Sequence, residues 1–141
     1  MSRSGYGYCD SGSLNLWRGT VKRSINGKRG QDFLKELAKA MDEMPEKRLI
    51  KNELISENGE VCAIGVVCKS RGLKVGHVEL EDPAEVGSLV GISMALAAEI
   101  EYLNDEFDYY RVVKETPEER WIRMRKWVDG QIKKPKPAQE E

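Results

Sequence analysis

The sequence predicts an all-α protein, a compact bundle of five to seven helices forming one domain. Three observations carry this. Apolar residues recur at spacings of three and four along most of the chain, the period that gathers side chains on one helix face. Helix start and stop signals punctuate those runs, notably Asp82-Pro83, Thr116-Pro117-Glu118-Glu119, Gly72 and Gly91. The 141 residues suffice for one domain with a core and are cramped for two.

Residues 1–12, rich in Gly, Ser and Tyr and without a period, read as a flexible arm. Ser13 can cap a helix whose stripe is Leu14, Trp17, Val21 and Ile25. Asn26-Gly27 ends it, because Gly accepts the left-handed conformation common at helix C-termini. A second helix is predicted over Gln31 to Met44, striped by Phe33, Leu34, Leu37, Ala38 and Met41 and stopped by Pro45. Leu49, Ile50 and Leu54 predict a short helix from Glu46 to about Leu54, and Asn58-Gly59 a turn.

The run Val61-Cys62-Ala63-Ile64-Gly65-Val66-Val67-Cys68 fits either a strand, by its β-branched residues, or a buried helix, by its length. Lys69-Ser70-Arg71-Gly72 resembles a last helical turn, with cations at the negative end and Gly beyond, and favours the helix. The alternative is an α+β fold with a short strand near Val61–Val67. After a loop over 73–81, Asp82 caps and Pro83 opens a helix reaching Val90; Gly91 breaks it. Ser93 caps another, with Ile92, Leu96, Ile100 and Leu103 in register. Thr116 and Glu119 can form a reciprocal capping box for a last helix carrying Trp121, Met124, Val128 and Ile132. The helical domain thus spans 13–133, and the Pro/Lys/Glu-rich stretch 134–141 reads as a disordered tail.

Enzyme chemistry needs convergent reactive groups, and the sequence offers few. His77 is the single histidine, in a loop beside Gly76. No nucleophile elbow, phosphate loop or zinc-protease motif occurs. Cys62 and Cys68 stand six apart, wider than a zinc-knuckle pair, and Cys9 lies in the arm, so core thiols are expected and no metal or other cofactor. Asp105, Glu106 and Asp108 lack the glycine of a calcium loop and read as a solvated helix end. No apolar run approaches the roughly 20 residues of a membrane helix, and Met1–Tyr6 lacks a signal-type apolar stretch, so cytoplasmic residence is expected.

Ala84 to Leu103 has the small and apolar positions of a helix-turn-helix. Its second helix nevertheless carries no Arg or Lys, and so forfeits the phosphate attraction that dominates DNA affinity.

Charge is distributed in blocks: +5 over residues 1–51, −10 over 52–119 and +4 over 120–141. Arg18, Lys22, Arg23, Lys28 and Arg29 surround the first helix and its turn. Arg120, Arg123, Arg125, Lys126, Lys133, Lys134 and Lys136 line the last helix and tail. If these groups share a face, they can grip nucleic acid or an acidic protein surface. Trp17 and Trp121 are expected in the core. Trp127 falls off the main stripe and is the better candidate for an exposed anchor. The candidate binding residues are therefore Arg18, Lys22, Arg23, Lys28, Arg29, Arg123, Lys126 and Trp127.

Three stretches also resemble a known family when taken together. They are Trp17-Arg18-Gly19-Thr20-Val21-Lys22 with Ile25-Asn26-Gly27-Lys28-Arg29-Gly30-Gln31; Met44-Pro45-Glu46-Lys47-Arg48-Leu49-Ile50 leading to Gly59-Glu60-Val61-Cys62-Ala63-Ile64-Gly65; and Glu115-Thr116-Pro117-Glu118-Glu119-Arg120-Trp121 with Met124-Arg125. Over roughly residues 13–133 the chain resembles small bacteriophage and prophage proteins of unassigned function. The resemblance implies a phage origin, expression inside a bacterium and a helical Cys62–Gly65 segment, and brings no catalytic residues. The expected function is that of a non-enzymatic accessory protein that binds and modulates a host bacterial protein or complex, in counter-defence or host takeover. The alternative is nucleic-acid binding through the basic ends. No membrane partner is expected; a homodimer is a further option, since small helical proteins often bury a leftover apolar face on a twin.

Overall fold

A computed structural model describes residues 11–76, 78–107 and 111–134, with side chains from residue 15 onward. It contains six helices: α1 (Ser11–Asn26), α2 (Lys28–Asp42), α3 (Ala63–Arg71), α4 (Pro83–Val90), α5 (Met94–Asp105) and α6 (Pro117–Gln131). The fold class is all-α. The only pairing of extended backbone among the described residues is an isolated antiparallel bridge between Ile55 and Val61. No single described helix is long and apolar enough to cross a membrane.

Two helices organise the rest. α1, α3 and α6 each pack against both α2 and α5, and α4 packs on α5. α2 earns its place by a strong stripe: Phe33, Leu34, Leu37, Ala38 and Met41 are all buried. Each such large side chain contributes roughly 1.5–3 kcal/mol by leaving water. α5 is buried on most of its circumference, and Ala95, Ala97 and Ala98 let neighbouring backbones approach. That burial removes the helix-turn-helix option. α4 and α5 do meet at 106°, but the would-be reading helix is the interior of the bundle.

Val61 through Cys68 is buried residue after residue, as a helix enclosed on all sides requires. α3 therefore begins at Ala63, with the Cys62 sulfur accepting from the Gly65 N–H at 3.4 Å. The helical reading of this run holds and the strand over Val61–Val67 does not form; Val61 alone joins the isolated bridge just before the helix starts. Gly72 and Gly91 close α3 and α4 in left-handed conformation. The caps Asp82, Ser93 and Thr116 all form, the last with its capping box.

Four expectations need correction. The helix predicted over Glu46–Leu54 does not form; the segment is irregular, bent chain with Asn52 at φ 70°. Its Leu49 and Leu54 are buried as expected, but its backbone groups bond to other elements: Leu49 N–H to Pro117 O at 3.0 Å and Ile50 N–H to Val61 O at 2.9 Å. Gly27 does not close α1 in the left-handed region; at φ −74°, ψ 166° it is the N-cap of α2, which starts at Lys28 rather than Gln31. α2 also stops at Asp42, short of Met44. Finally, the proposed arm loses Ser11 and Gly12 to α1; its residues 1–10, like tail residues 135–141, lie outside the described residues.

The acidic end of α5 is structural. Asn104, 2% exposed, accepts from the Ala63 N–H at 3.1 Å and donates to Ile50 O at 2.9 Å and to Asp105 at 2.7 Å. Asp105 in turn accepts from the Asn52 N–H at 3.2 Å. The pair ties the 50–52 segment and the start of α3 to α5, so Asp105 is a tether and not a solvated helix end. Asp108 lies outside the described residues.

Candidate binding surface at the α1–α2 corner

The sequence from Ser11 to Gln31 contains five cations and no carboxylate. The structure bends it sharply at Gly27. A side chain at Gly30 would place its Cβ 1.9 Å from Ser24 O, so only glycine lets α2 start this close to the end of α1. Arg23 lies in the last turn of α1, and Lys28 and Arg29 in the first turn of α2.

Gln31 connects this corner to the far end of the sequence. It is 7% exposed. Its amide donates to Ile25 O at 2.8 Å and to Gln131 O at 3.0 Å, and its oxygen accepts from the Lys133 N–H at 2.8 Å. One side chain thus holds the end of α1, the end of α6 and the chain beyond it. Lys133 adds a second tie, donating from Nζ to Asn26 O at 2.8 Å, where the last carbonyls of α1 carry partial negative charge. Lys134 follows, exposed. The two basic ends of the sequence therefore meet at one corner.

The side chains there are differently engaged. Lys28 pairs with Asp32 at 2.7 Å on the open surface, which raises the lysine's pKa and lowers the aspartate's. Arg23 donates to Thr20 Oγ1 at 3.2 Å. No carboxylate among the described residues pairs with Lys22, Arg29, Lys126 or Lys134. Arg18 is exposed on α1, eight residues before its end, about 12 Å along the axis.

The arginines of α6 do something else. Arg123 is clamped by both oxygens of Glu115, at 2.6 and 2.9 Å, and lies 4.0 Å from the centre of the Phe107 ring. Arg120 is buried; it donates to Leu49 O at 2.8 Å and sits 3.5 Å from the same, equally buried, Glu115. Arg125 grips Asp42 at 2.8 and 3.0 Å, joining α6 to the end of α2 and lowering the Asp42 pKa. Arg123 is therefore a structural residue in the middle of α6, about two turns before the corner. Trp127 is half-buried and packs on the core, as do Trp17 and Trp121, so it is no exposed anchor. Lys126 is exposed on α6.

Gln31 was read only as the first residue of a helix. One signal could have found it: Gln31 shares the helix face of Leu34 and Ala38, and a polar residue on an apolar stripe must find partners when buried. No sequence signal could have found what it bonds, since Gln131 and Lys133 lie about a hundred positions away.

Cys62 and Cys68 are buried free thiols. Burial pushes both pKa values up, that of Cys68 to about 11, and Asp105 and Glu101 push Cys62 further the same way. They are poor nucleophiles and poor metal ligands in that state. Among the described residues no three His, Cys, Asp or Glu side chains are grouped to hold a metal ion; Cys9 and His77 lie outside those residues. No protein-family model matches the chain, and comparison with curated proteins and with solved structures returns no significant match.

Proposed function

We propose that this chain is a phage-encoded, non-enzymatic accessory protein that binds a host bacterial protein or complex, and that it docks an acidic face of that partner through the α1–α2 corner. The observation that carries the docking site is the Gln31 clamp, which gathers cations from both ends of the sequence at one place. No described carboxylate pairs with Lys22, Arg29 or Lys134, which supports their use as contacts for a ligand. The phage and host elements rest on the resemblance of the quoted stretches, and cytoplasmic residence in the bacterium follows from them.

Capture from bacterial lysate, with and without nuclease, tests the reading. The expected result is a host protein that resists nuclease and is lost with the charge-reversed variant Lys22→Glu/Arg29→Glu/Lys134→Glu. Capture unaffected by that variant would remove the corner from the interface. The second reading, nucleic-acid binding, is favoured by the same union of basic ends. It requires binding of a labelled oligonucleotide that weakens steeply as salt rises, and loss of captured material on nuclease treatment.

A further inference from the structure

On another face, independent of the corner, a cleft of about 450 Å³ opens between the end of α2, the 45–48 segment, the 58–61 turn and α3. Its size falls within the roughly 300–1,000 Å³ of small-molecule sites. Ala40, Met44, Val61 and Val66 give it an apolar floor, and Arg48 and Lys69 stand at its edge.

Arg48 differs from the four arginines that hold an oxygen closely. Arg71, Arg120, Arg123 and Arg125 each hold an oxygen at 2.6–2.8 Å. Arg48, about as exposed as Arg71 and more so than the other three, makes no side-chain hydrogen bond. Its nearest carboxylates, Glu60 and Glu118, stand off at 3.9 and 4.0 Å, and its Nε is buried without an acceptor. A guanidinium whose donors reach no acceptor within hydrogen-bond distance is suited to a planar carboxylate, which it can grip with two parallel hydrogen bonds. Lys69 spends one donor on Gly59 O at 2.8 Å and keeps two. Glu43 and Glu46 line the same cleft and raise the cost of a doubly charged anion.

We infer that this cleft binds a monocarboxylate with a short apolar body, the carboxylate on Arg48 and the body on the Met44–Val61–Val66 floor. Glu60, the nearest competing carboxylate, weakens that binding.

The test is calorimetric titration of the full chain with octanoate, 1-octanol and octylammonium. Octanoate is expected to bind at least about tenfold more tightly than either analogue, the scale of a charge-assisted hydrogen bond. Arg48→Gln should weaken octanoate by about tenfold or more, and Glu60→Gln should strengthen it. Ser70→Trp, which fills the mouth from an exposed position on α3, should abolish binding without touching Arg48. Unfolding midpoints of all three variants establish that they fold. Octanol or octylammonium binding as tightly as octanoate, octanoate binding indifferent to Arg48→Gln and Ser70→Trp, or no octanoate binding at millimolar concentration would overturn the inference.

Discussion

The two ends of α6 use positive charge in opposite ways. In its first half, Arg120 and Arg123 converge on Glu115, a carboxylate only 5% exposed, and their charge is consumed in joining α6 to Leu49 and Phe107. At its finish, Lys133 and Lys134 meet the α1–α2 corner, where Lys22 and Arg29 carry charge that no described carboxylate neutralises. The sequence shows one basic run from Arg120 to Lys136. Among the described residues the structure divides it into arginines spent on carboxylates, Arg120, Arg123 and Arg125, and lysines, of which Lys126 and Lys134 stay open and Lys133 caps the last carbonyls of α1. The division follows the chemistry: a planar guanidinium fits a buried carboxylate with two bonds, whereas the ammonium is strongly hydrated and stays in water.

The largest expected effect lies at the consumed end. Arg120→Ala leaves buried Glu115 with one cation fewer and Leu49 O without its donor, and should cost about 3–5 kcal/mol in urea unfolding. A loss below about 1 kcal/mol would mean that this end is not built on charge. Next comes the clamp. Gln31→Ala strands Ile25 O, Gln131 O and the Lys133 N–H, and a cost of about 1–3 kcal/mol is expected. Amide exchange at Lys133 should quicken in the same variant, which tests whether the two basic ends are held together by this residue.

Between the two ends, Arg125→Gln breaks an ion pair whose Asp42 is half exposed to water, and should cost at most about 1 kcal/mol. The pH dependence has a definite sign. Arg125 lowers the folded-state pKa of Asp42, so the pair's contribution is complete above the unfolded value near 3.8 and is lost as pH falls through the lowered one. Wild type and Arg125→Gln should therefore converge in acid, as two urea midpoints measured at neutral pH and near pH 2 would show. Smallest in stability is the open end. Lys22→Glu/Arg29→Glu/Lys134→Glu should move the unfolding free energy by no more than about 0.5 kcal/mol per site while removing partner binding. A large destabilisation would show that these cations also serve the fold.

The same contrast marks how far the sequence could be read. Helices with local signals were legible: Asp82-Pro83, Ser93 and Thr116 with Glu119 make their caps from neighbouring residues, and those caps form. The irregular course of the 46–54 segment was not legible. Its apolar spacing is helical and its leucines are indeed buried, but its conformation is set by Pro117, Val61, Asn104 and Arg120, all brought in from elsewhere. Gly27 was misread because a glycine serves either side of a helix break, and the close approach at Gly30 that decides the matter is tertiary. At the candidate surface, the cations were visible as a list. Which of them are spent depends on Glu115 and Asp42, and no period in the sequence pairs those carboxylates with their arginines.

Fastening Lys133 to the corner also turns two helix ends into one event. Gln31 bonds Ile25 O, Gln131 O and the Lys133 N–H together, so the end of α1 cannot fray without loosening the end of α6. Local opening there is expected to be cooperative between stretches about a hundred positions apart in the chain, unlike the independent fraying of an ordinary helix terminus.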